Sequence, residues 1–389
     1  MKKMAFFCGL TLFLFGCQEK HAGSNTFKIP TDSLEVTLSI DTILIDAGDD
    51  FIYLNHYLRL SDFSADRRFL HNFNPLNYEM ELIDLQEKRL VEKYRIEKEG
   101  PKTVPNHFFY RLQVAEETEE LFFQTTSHIY KTDLQGKVQS SYRFMNDSLS
   151  DFRYNPENQI NLQGFVSENG KHFYSFYTDT FPDRKRKGLV RVDFKEKQVD
   201  FREMDFFHWA NDFDLYYREP DGRYNRGEYP EMSGMAFKGD SIIFSISAVN
   251  KLWVYHFQSG YLKELSYEST LTKNQKEGNF PKRVESMEAF QEAAKQKNEE
   301  VYFHPIQYDP KNQRFLRVTT QFEGYDKNGE AIYNSYLTIF DKELQPIQEQ
   351  LIPEPGFYPS NSKSFIKDGV YYSYLNMDDE LAFIRLKVE

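Results

Sequence analysis

A strand–turn–strand pattern recurs five times along the chain, and it constrains the fold more than any other feature of the sequence. Each copy alternates apolar and polar residues, turns at a short stretch containing Asp or Gly, and alternates again. The copies are Met80–Ile96, Ile129–Phe144, Leu189–Met204, Leu252–Glu268 and Tyr336–Ile352. Two shorter strand-like segments precede each copy, so the repeating unit has four strands. An all-β chain with a repeat of roughly 50 residues is expected to form a β-propeller.

The two ends of the chain complete this pattern. Ser364–Glu389 supplies only three strands of a unit, whereas Ser33–Ile45 is a strand without a unit of its own. Pairing the two would close a ring of six blades and leave no open sheet edge. Residues 33–389 are therefore predicted to be one six-bladed β-propeller domain. A seventh, degenerate blade or an elongated sandwich is the structural alternative.

One segment departs from the β pattern. Arg283–Glu299 is rich in Ala, Glu, Gln and Lys. Its apolar residues have helical spacing and are Val284, Met287, Phe290 and Ala294. The segment predicts an inserted helix on one face of the ring. It would act as a structural lid or, alternatively, as a moving gate.

The N-terminus has the pattern of a bacterial lipoprotein. Lys2 and Lys3 precede an apolar stretch of 13 residues that ends at Gly16, which is shorter than the roughly 20 residues of a membrane span. Such a stretch is typical of a secretory signal. The sequence Leu-Phe-Gly-Cys ending at Cys17 resembles a lipobox. This resemblance implies that residues 1–16 are removed and that Cys17 is acylated. The alternative is an ordinary secretory signal with an incidental cysteine.

The cysteine count fits this interpretation. The only other cysteine, Cys8, lies in the segment predicted to be removed. The mature chain would have no disulfide, no catalytic thiol and no Cys-ligated metal. Residues 17–32 are predicted to form the lipidated cysteine and a flexible tether. The protein is thus expected in the cell envelope, held by lipid to the outer membrane, on either its periplasmic or its surface side.

The chain is acidic, and this limits its partners. The formal net charge is −12, and loss of Lys2 and Lys3 would make it more negative. Acidic proteins are poor binders of nucleic acid or of anionic lipid surfaces. The membrane is therefore expected to be contacted only through the lipid on Cys17.

The segment Glu99–Val138 resembles one repeat of NHL-type six-bladed propellers, with a Gly-Pro turn at Gly100 and a D-L-x-G-K turn at Asp133. The whole chain is similar to a Bacteroidota lipoprotein family called domain of unknown function 4221. The Phe303–Val318 stretch, the preceding helix and the lipobox carry this resemblance. It implies a surface or periplasmic lipoprotein, and it implies no assigned activity.

Known catalytic and cofactor motifs are absent from the sequence. There is no H-E-x-x-H, G-x-S-x-G, Walker A or dinucleotide-binding glycine motif. Asp212–Gly222 is the nearest approach to a calcium loop, but Tyr216 occupies its fifth position, where Asp or Asn is required. A solvated loop is expected there, and no metal or cofactor is predicted.

In a propeller, the innermost strands begin around the mouth of the central channel. The residues predicted at these positions are neutral and polar, which suits sugar hydroxyls or peptide amides better than phosphates. They are Asn55, His56, Asn106, His107, Asn161, Gln163, Ser233, His304 and Asn361.

A long aromatic segment, Phe206–Met232, lies between the third and fourth units. Its aromatic residues either stack on a sugar or seal the ring by packing. We expect Trp209 and His304 on the rim of one concave site, with His304 neutral and its pKa near the usual value of about 6.5. The candidate binding residues are Asn106, His107, Asn161, Trp209, Asp212, Tyr229 and His304.

Two functions from different classes fit the sequence. The first is a non-catalytic binding module for a glycan, a peptide or an envelope protein. The alternative is a propeller-type glycoside hydrolase, which needs two carboxylates about 5–9.5 Å apart. Asp212, Asp214, Glu228 and Glu231 are the acidic residues near the predicted mouth. Because the predicted strand-start positions are not acidic, binding without catalysis is favoured.

Overall fold

The computed structural model describes most of the chain. The described residues are 21–31, 36–100, 102–105, 108–144, 150–180, 184–218, 225–353, 357–359 and 363–389. The predicted signal peptide, the lipidation residue Cys17 and the candidate residues Asn106, His107 and Asn361 lie outside these ranges.

Two N-terminal strands precede three sheets in chain order. The N-terminal strands are β1 (His21–Lys28) and β2 (Leu38–Leu44). The first sheet contains β3 (Ser61–Phe63), β4 (Phe69–Asn74), β5 (Glu79–Asp84) and β6 (Arg89–Arg95). The second contains β7 (Phe109–Ala115), β8 (Glu120–Thr125), β9 (His128–Thr132) and β10 (Val138–Arg143). The third contains β11 (Gln159–Ile160), β12 (Phe165–Val166), β13 (His172–Thr178), β14 (Arg186–Asp193) and β15 (Gln198–Glu203).

Three larger sheets and one small sheet complete the fold. The small sheet contains β16 (Leu215–Arg218), β17 (Asn225–Tyr229) and β22 (Arg283–Val284). The fourth sheet contains β18 (Ser233–Lys238), β19 (Ser241–Ile246), β20 (Lys251–His256) and β21 (Tyr261–Glu268), together with β1. The fifth contains β23 (Tyr302–Phe303), β24 (Gln307–Asp309), β25 (Arg314–Tyr325), β26 (Ala331–Phe340) and β27 (Pro346–Leu351). The sixth contains β28 (Ser364–Lys367), β29 (Val370–Met377), β30 (Glu380–Val388) and β2.

The helices are few and short. The α-helices are α1 (His208–Asn211) and α2 (Met287–Asn298), and 3-10 turns span Asn55–Leu58 and Asp205–Phe207. The predicted all-β class is therefore confirmed, as is the presence of an inserted helix.

The predicted strand–turn–strand repeats form the outer half of the first five sheets. In the first of them, the Asp84 carboxylate accepts hydrogen bonds from the backbone N–H groups of Gln86 and Glu87, at 2.8 and 3.0 Å. Asp193 and Asp341 close the equivalent turns in the third and fifth sheets. An Asp side chain that bonds its own turn in this way favours a tight connection, which explains why Asp recurs in the repeat.

Each larger sheet packs between two neighbours, and the burial of its second strand reflects this. In β19, five of the six residues are buried, so both faces of the strand are covered. Strands buried on both faces have nearly continuous apolar sequences. Ile242, Ile243 and Phe244 follow one another in β19 for this reason.

The N-terminal strand completes the C-terminal sheet, as the sequence predicts. Strand β2 pairs antiparallel with β30 from Leu38 opposite Val388 to Leu44 opposite Ala382. The Asp41 carboxylate accepts two hydrogen bonds from the Arg385 guanidinium, at 2.6 and 2.5 Å. The two ends of the chain are therefore held in one sheet.

A hydrophobic core lies between every consecutive pair of the six larger sheets. The sixth sheet also packs on the first, through a core that includes Ile43 and Phe383 from the sixth and Leu70 and Ile83 from the first. The other five cores join the first sheet to the second and so on to the sixth. The six sheets thus pack one on the next in a closed circle, which is the arrangement expected of a propeller.

Polar side chains of the innermost strands link the sheets near the centre. The Gln113 amide bonds both backbone groups of Val166, at 2.7 and 2.8 Å, and joins the second sheet to the third. The Lys363 ammonium donates to the Ser61 carbonyl at 2.7 Å and to the Asp62 carboxylate at 3.0 Å. This second link joins the sixth sheet to the first, at the point where the ring of contacts closes.

Residues 21–31 differ from the predicted flexible tether. Strand β1 pairs in parallel with β21 and extends the fourth sheet. Phe27 stacks on Tyr267 with ring centroids 5.9 Å apart, and Ile29 is buried. The polar sequence gave no strand signal because the pairing is made by backbone groups, which almost any sequence provides.

The small sheet and α2 form one unit, here called the insertion (described residues 205–218, 225–229 and 269–300). The Ser286 side chain caps α2 by accepting a hydrogen bond from the Ala289 N–H at 3.1 Å. The helix buries Ala293 and Lys297, whereas Met287, predicted on the apolar stripe, is exposed. Val284, also predicted in the helix, is buried in β22.

No helix within the described ranges is both long enough and apolar enough to cross a membrane.

Removal of β2 is expected to destabilise the whole protein. A chain that begins at Ala47 lacks the partner of β30 and the buried side chains of Ile43 and Ile45. Burial of each isoleucine is worth about 1.5–3 kcal/mol, so a loss of at least about 3 kcal/mol in the free energy of unfolding is expected. Chemical denaturation monitored by tryptophan fluorescence would measure it.

The matched control is a chain that begins at Ile29. It lacks β1 and Phe27 but keeps β2, so its unfolding midpoint is expected to fall much less than that of the chain beginning at Ala47. Equal midpoints for the chains beginning at Ile29 and Ala47 would show that β2 does not close the fold.

Candidate functional site

A cavity of about 750 Å³ opens where the innermost strands of five sheets begin. Its walls include one residue from just before or beside the innermost strand of each of these sheets. They are Arg59 from the first, Gln163 from the third, Met232 from the fourth, His304 from the fifth and Tyr358 from the sixth. The corresponding residues of the second sheet, 106–107, lie outside the described ranges. Distant parts of the chain therefore meet at one site.

The insertion provides a further wall of this cavity. Tyr229, Asn298 and Glu300 line it, and the Tyr229 hydroxyl donates a hydrogen bond to the Asn298 amide oxygen at 2.6 Å. The Glu300 carboxylate accepts hydrogen bonds from the backbone N–H groups of Glu277 and Gly278, at 2.6 and 2.9 Å. These bonds fix the wall to the loop that leads into β22.

A buried ion cluster lies at the base of the cavity. The Glu231 carboxylate is 2.8 Å from the Lys276 ammonium and 3.0 Å from the Lys297 ammonium. All three side chains are at most 3% exposed. The Ser247 hydroxyl donates a hydrogen bond to Glu231 at 2.5 Å. Buried charges require such partners, since each loses its hydration on folding.

The two lysines keep Glu231 ionised. Burial alone would raise the pKa of its carboxyl, but the nearby Lys276 and Lys297 ammonium groups outweigh burial and lower this pKa below its usual value. Burial lowers the pKa of Lys297, and the attraction of Glu231 opposes that effect. Glu231 is therefore a carboxylate, not a proton donor, near neutral pH.

A second ion pair lies beside this cluster. The Arg186 guanidinium is 3.2 Å from the Asp214 carboxylate and donates to the Glu231 carbonyl at 2.8 Å. Asp214 also accepts a hydrogen bond from the Glu231 backbone N–H at 2.6 Å. The carboxylates of Asp214 and Glu231 are thus both paired with cations.

A smaller cavity of about 490 Å³ adjoins the first, and Gln163 and Pro230 line both. Asn161, a candidate from the sequence, lines only the smaller cavity, where its side-chain oxygen accepts a hydrogen bond from the Gln163 backbone N–H at 2.9 Å. Asn161 therefore shapes the boundary between the two cavities.

His304 lines the larger cavity but differs in one respect from the expectation. Burial lowers the pKa of its imidazole to about 3, far below the predicted value near 6.5. Its Nε2 atom is 3.3 Å from the Thr320 hydroxyl, and its ring contacts Tyr302 with centroids 4.6 Å apart. The imidazole is neutral, as expected, but it is held in place by its neighbours.

Two other candidates lie away from both cavities. Trp209 packs on the core between the third and fourth sheets, and the Lys251 ammonium lies 5.3 Å from its ring centroid. Asp212 ends α1, where its backbone N–H bonds the His208 carbonyl at 2.9 Å. Neither is among the described residues that line the cavities. Of the predicted aromatic residues, Tyr229 contributes to the larger cavity.

The sequence prediction missed several residues of the larger cavity. They are Arg59, Lys276, Lys297, Tyr302, Tyr333 and Tyr358. One signal was available, because Lys297 continues the helical stripe formed by Phe290 and Ala294. A lysine on the buried face of a helix requires an acidic partner from elsewhere in the fold. The other residues have no local pattern that distinguishes them.

Among the residues that the structure describes, no group of three or more His, Cys, Asp or Glu side chains is placed to hold a metal ion.

The fold defines the class of protein as a propeller-like, all-β chain with a cavity where the innermost strands of several sheets begin. The family described as Domain of unknown function (DUF4221) matches residues 33–351. The chain therefore belongs to this family. No curated protein matches the sequence of this chain.

Two solved structures resemble this fold. One is the crystal structure of a DUF4221 family member from Bacteroides vulgatus ATCC 8482, with 16% identity and a TM-score of 0.63. That comparison covers 92% of this chain and 99% of the other. The second is a protein from Bacteroides fragilis NCTC 9343 that is inferred to be exported, with 11% identity and a TM-score of 0.50. It covers 94% of this chain and 100% of the other. At these identities the similarity is one of fold.

Replacement of Glu231 is expected to destabilise the protein at neutral pH. In Glu231→Gln, the Lys276 and Lys297 ammonium groups stay buried without their carboxylate, which costs on the order of 3–5 kcal/mol. The lowered pKa of Glu231 means that its stabilising effect is present above pH 4.5 and is lost as the pH falls through the lower, folded-state value. The difference between wild type and variant should therefore shrink in acid.

Denaturation curves between pH 3 and pH 7 would test this expectation. Glu343→Gln is a suitable control because the Glu343 carboxylate is exposed and, within the described ranges, pairs with the exposed Lys342 alone, at 3.7 Å. A Glu231→Gln variant that is as stable as the control at pH 7 would contradict the role assigned to the cluster.

Proposed function

We propose that this protein is a six-bladed β-propeller of the bacterial cell envelope, anchored through lipid on Cys17, which binds a glycan in its larger cavity without reacting with it. The six larger sheets are the six blades. Their cores form a closed succession, in which the core between the sixth and first sheets completes the ring. The small sheet belongs to the insertion and is not a seventh blade.

The observation that carries the binding proposal is the convergence of five sheets on one cavity. Its volume, about 750 Å³, lies within the range of roughly 300–1,000 Å³ that is usual for ligand sites. Sites at a propeller hub are commonly formed by side chains from several blades. The cavity is therefore the best candidate for ligand binding in the described part of the chain.

The residues of the cavity suit a sugar. Tyr302, Tyr333 and Tyr358 provide ring faces with a polar end, and Gln163 and Asn298 provide amides that donate and accept hydrogen bonds. A sugar ring has an apolar face and a rim of hydroxyl groups, so both kinds of contact are available to it. This combination favours a glycan over a purely apolar ligand.

The geometry does not favour glycoside hydrolysis. A glycosidase needs one carboxyl with a raised pKa as proton donor and a second, free carboxylate. The pKa of Glu231 is lowered by its two lysines, and Asp214 is paired with Arg186. Of the other predicted carboxylates, Asp212 lies away from both cavities and Glu228 lines only the smaller one. Binding is therefore the function that the site supports best.

Glycan binding can be tested with the chain from residue 21 onwards on a glycan array. We expect selective binding, and we expect Tyr358→Ala to weaken it about 2- to 10-fold, since loss of one aromatic contact is worth about 0.5–1.5 kcal/mol. Tyr261→Ala, on the outer strand β21, is the control and should bind like the wild type. Absence of binding to every glycan, or release of cleaved sugar, would refute the proposal.

The lipid anchor has its own test. Replacement of Cys17 by Ala removes the thiol to which a lipid would be attached and changes no residue of the seven sheets. We expect the Cys17→Ala variant to move from the membrane fraction to the soluble fraction and to keep the same unfolding midpoint. Detergent phase partitioning would measure the change. A variant that still partitions with membranes would overturn the anchoring proposal.

A further inference from the structure

We propose that the glycan bound in the larger cavity carries an anionic group, a carboxylate or a sulfate, and that Arg59 and Lys276 recognise it. This inference rests on the proposed function, because it concerns the ligand of the same cavity. It is argued from the partners of these two cations, from the charge of the cavity and from the contrast with Lys297.

The Lys276 ammonium has N–H donors that no described residue accepts. Its ammonium is buried, lines the cavity and is 2.8 Å from one oxygen of Glu231. In the described ranges, no other acceptor is within bonding distance of this ammonium. Its further contact is with the face of the Tyr302 ring, 5.3 Å away. Because an ammonium has three N–H donors, a ligand oxygen can bond to this group without displacing Glu231.

Lys297 provides the contrast. Its ammonium donates to the carbonyl oxygens of Phe213 and Tyr229, both at 2.9 Å, and pairs with Glu231 at 3.0 Å. Two of its three N–H donors are therefore used by backbone carbonyls, and its charge is paired with Glu231. Lys297 fastens α2 to the site, whereas Lys276 is the lysine available to a ligand.

Arg59 is a second cation with unused donors. It lies at the start of the first sheet and lines the cavity. Its Nε atom is buried, and it has no hydrogen-bond partner among the described residues. The guanidinium contacts the Phe108 ring at 5.9 Å. A guanidinium offers paired donors that match the two oxygens of a carboxylate or sulfate.

The described residues that line the cavity carry one positive charge in excess. They are Arg59, Lys276 and Lys297, against Glu231 and Glu300. The Glu300 carboxylate already accepts hydrogen bonds from backbone N–H groups of the preceding loop. This local excess contrasts with the net charge of −12 of the chain. An anion in the cavity would supply the missing counter-charge, and walls of low dielectric strengthen that attraction.

The test is an array that carries neutral, carboxylated and sulfated glycans, probed with the full-length, detergent-solubilised protein. We expect the bound glycans to be acidic and their affinity to fall as the salt concentration rises. Reduction of the carboxylates to alcohols should abolish binding to the carboxylated members. The carboxylated and sulfated arms of the array then show which oxyanion the site prefers.

Two substitutions should weaken binding to the acidic glycan. A hydrogen bond between charged groups is worth about 1.5–3 kcal/mol, so Lys276→Met and Arg59→Gln should each lower the affinity about 10- to 150-fold. Lys276→Met leaves Glu231 paired with Lys297 and is expected to fold. The control Lys342→Met alters an exposed lysine and should change nothing.

The two proposals fail in different ways. If the protein binds only neutral glycans, or if both variants bind acidic glycans like the wild type, the anionic preference is refuted and glycan binding remains. If the folded wild-type protein binds no glycan of any charge, the proposed function itself fails, and the inference fails with it.

Discussion

The rest of the structure depends on the pairing of β2 with β30, because this pairing joins the two ends of the chain in one sheet. Each core between sheets needs an apolar surface on both sides, and the sixth sheet would offer the first an incomplete surface without Ile43. The Lys363 link to Ser61 and Asp62 fixes the same junction near the centre. Loss of β2 would also leave the apolar strand β30 at the edge of its sheet, and exposed apolar edge strands favour aggregation.

The site depends on a second constraint, the pairing of buried charges between the ring and the insertion. Glu231 precedes the fourth sheet, whereas Lys276 and Lys297 belong to the insertion. Because an unpaired buried charge costs several kcal/mol, the insertion has one preferred position over the cavity. The same pairing lowers the pKa of Glu231 and removes it as a proton donor. Structural stability and the ionised state of Glu231 thus have one physical cause.

Much of the architecture was predictable because it rests on local patterns. The five strand–turn–strand repeats, the inserted helix and the incomplete last unit all follow from alternation and turn residues. The strand β1 was not predictable, since its polar sequence pairs through the backbone. The prediction that residues at strand starts surround a central cavity is met by two candidates. His304 lines the larger cavity and Asn161 lines the smaller one. Trp209, chosen for its aromatic ring, instead packs on a core.

The sequence by itself determined the strand composition, the number of repeats and the acidic net charge, because each is local or additive along the chain. Only the tertiary structure decided which charged residues share the cavity. Arg59 and Lys276 are more than 200 positions apart, and neither lies in a recognisable motif. They line one cavity only because the fold brings the start of the first sheet and the insertion to the same place.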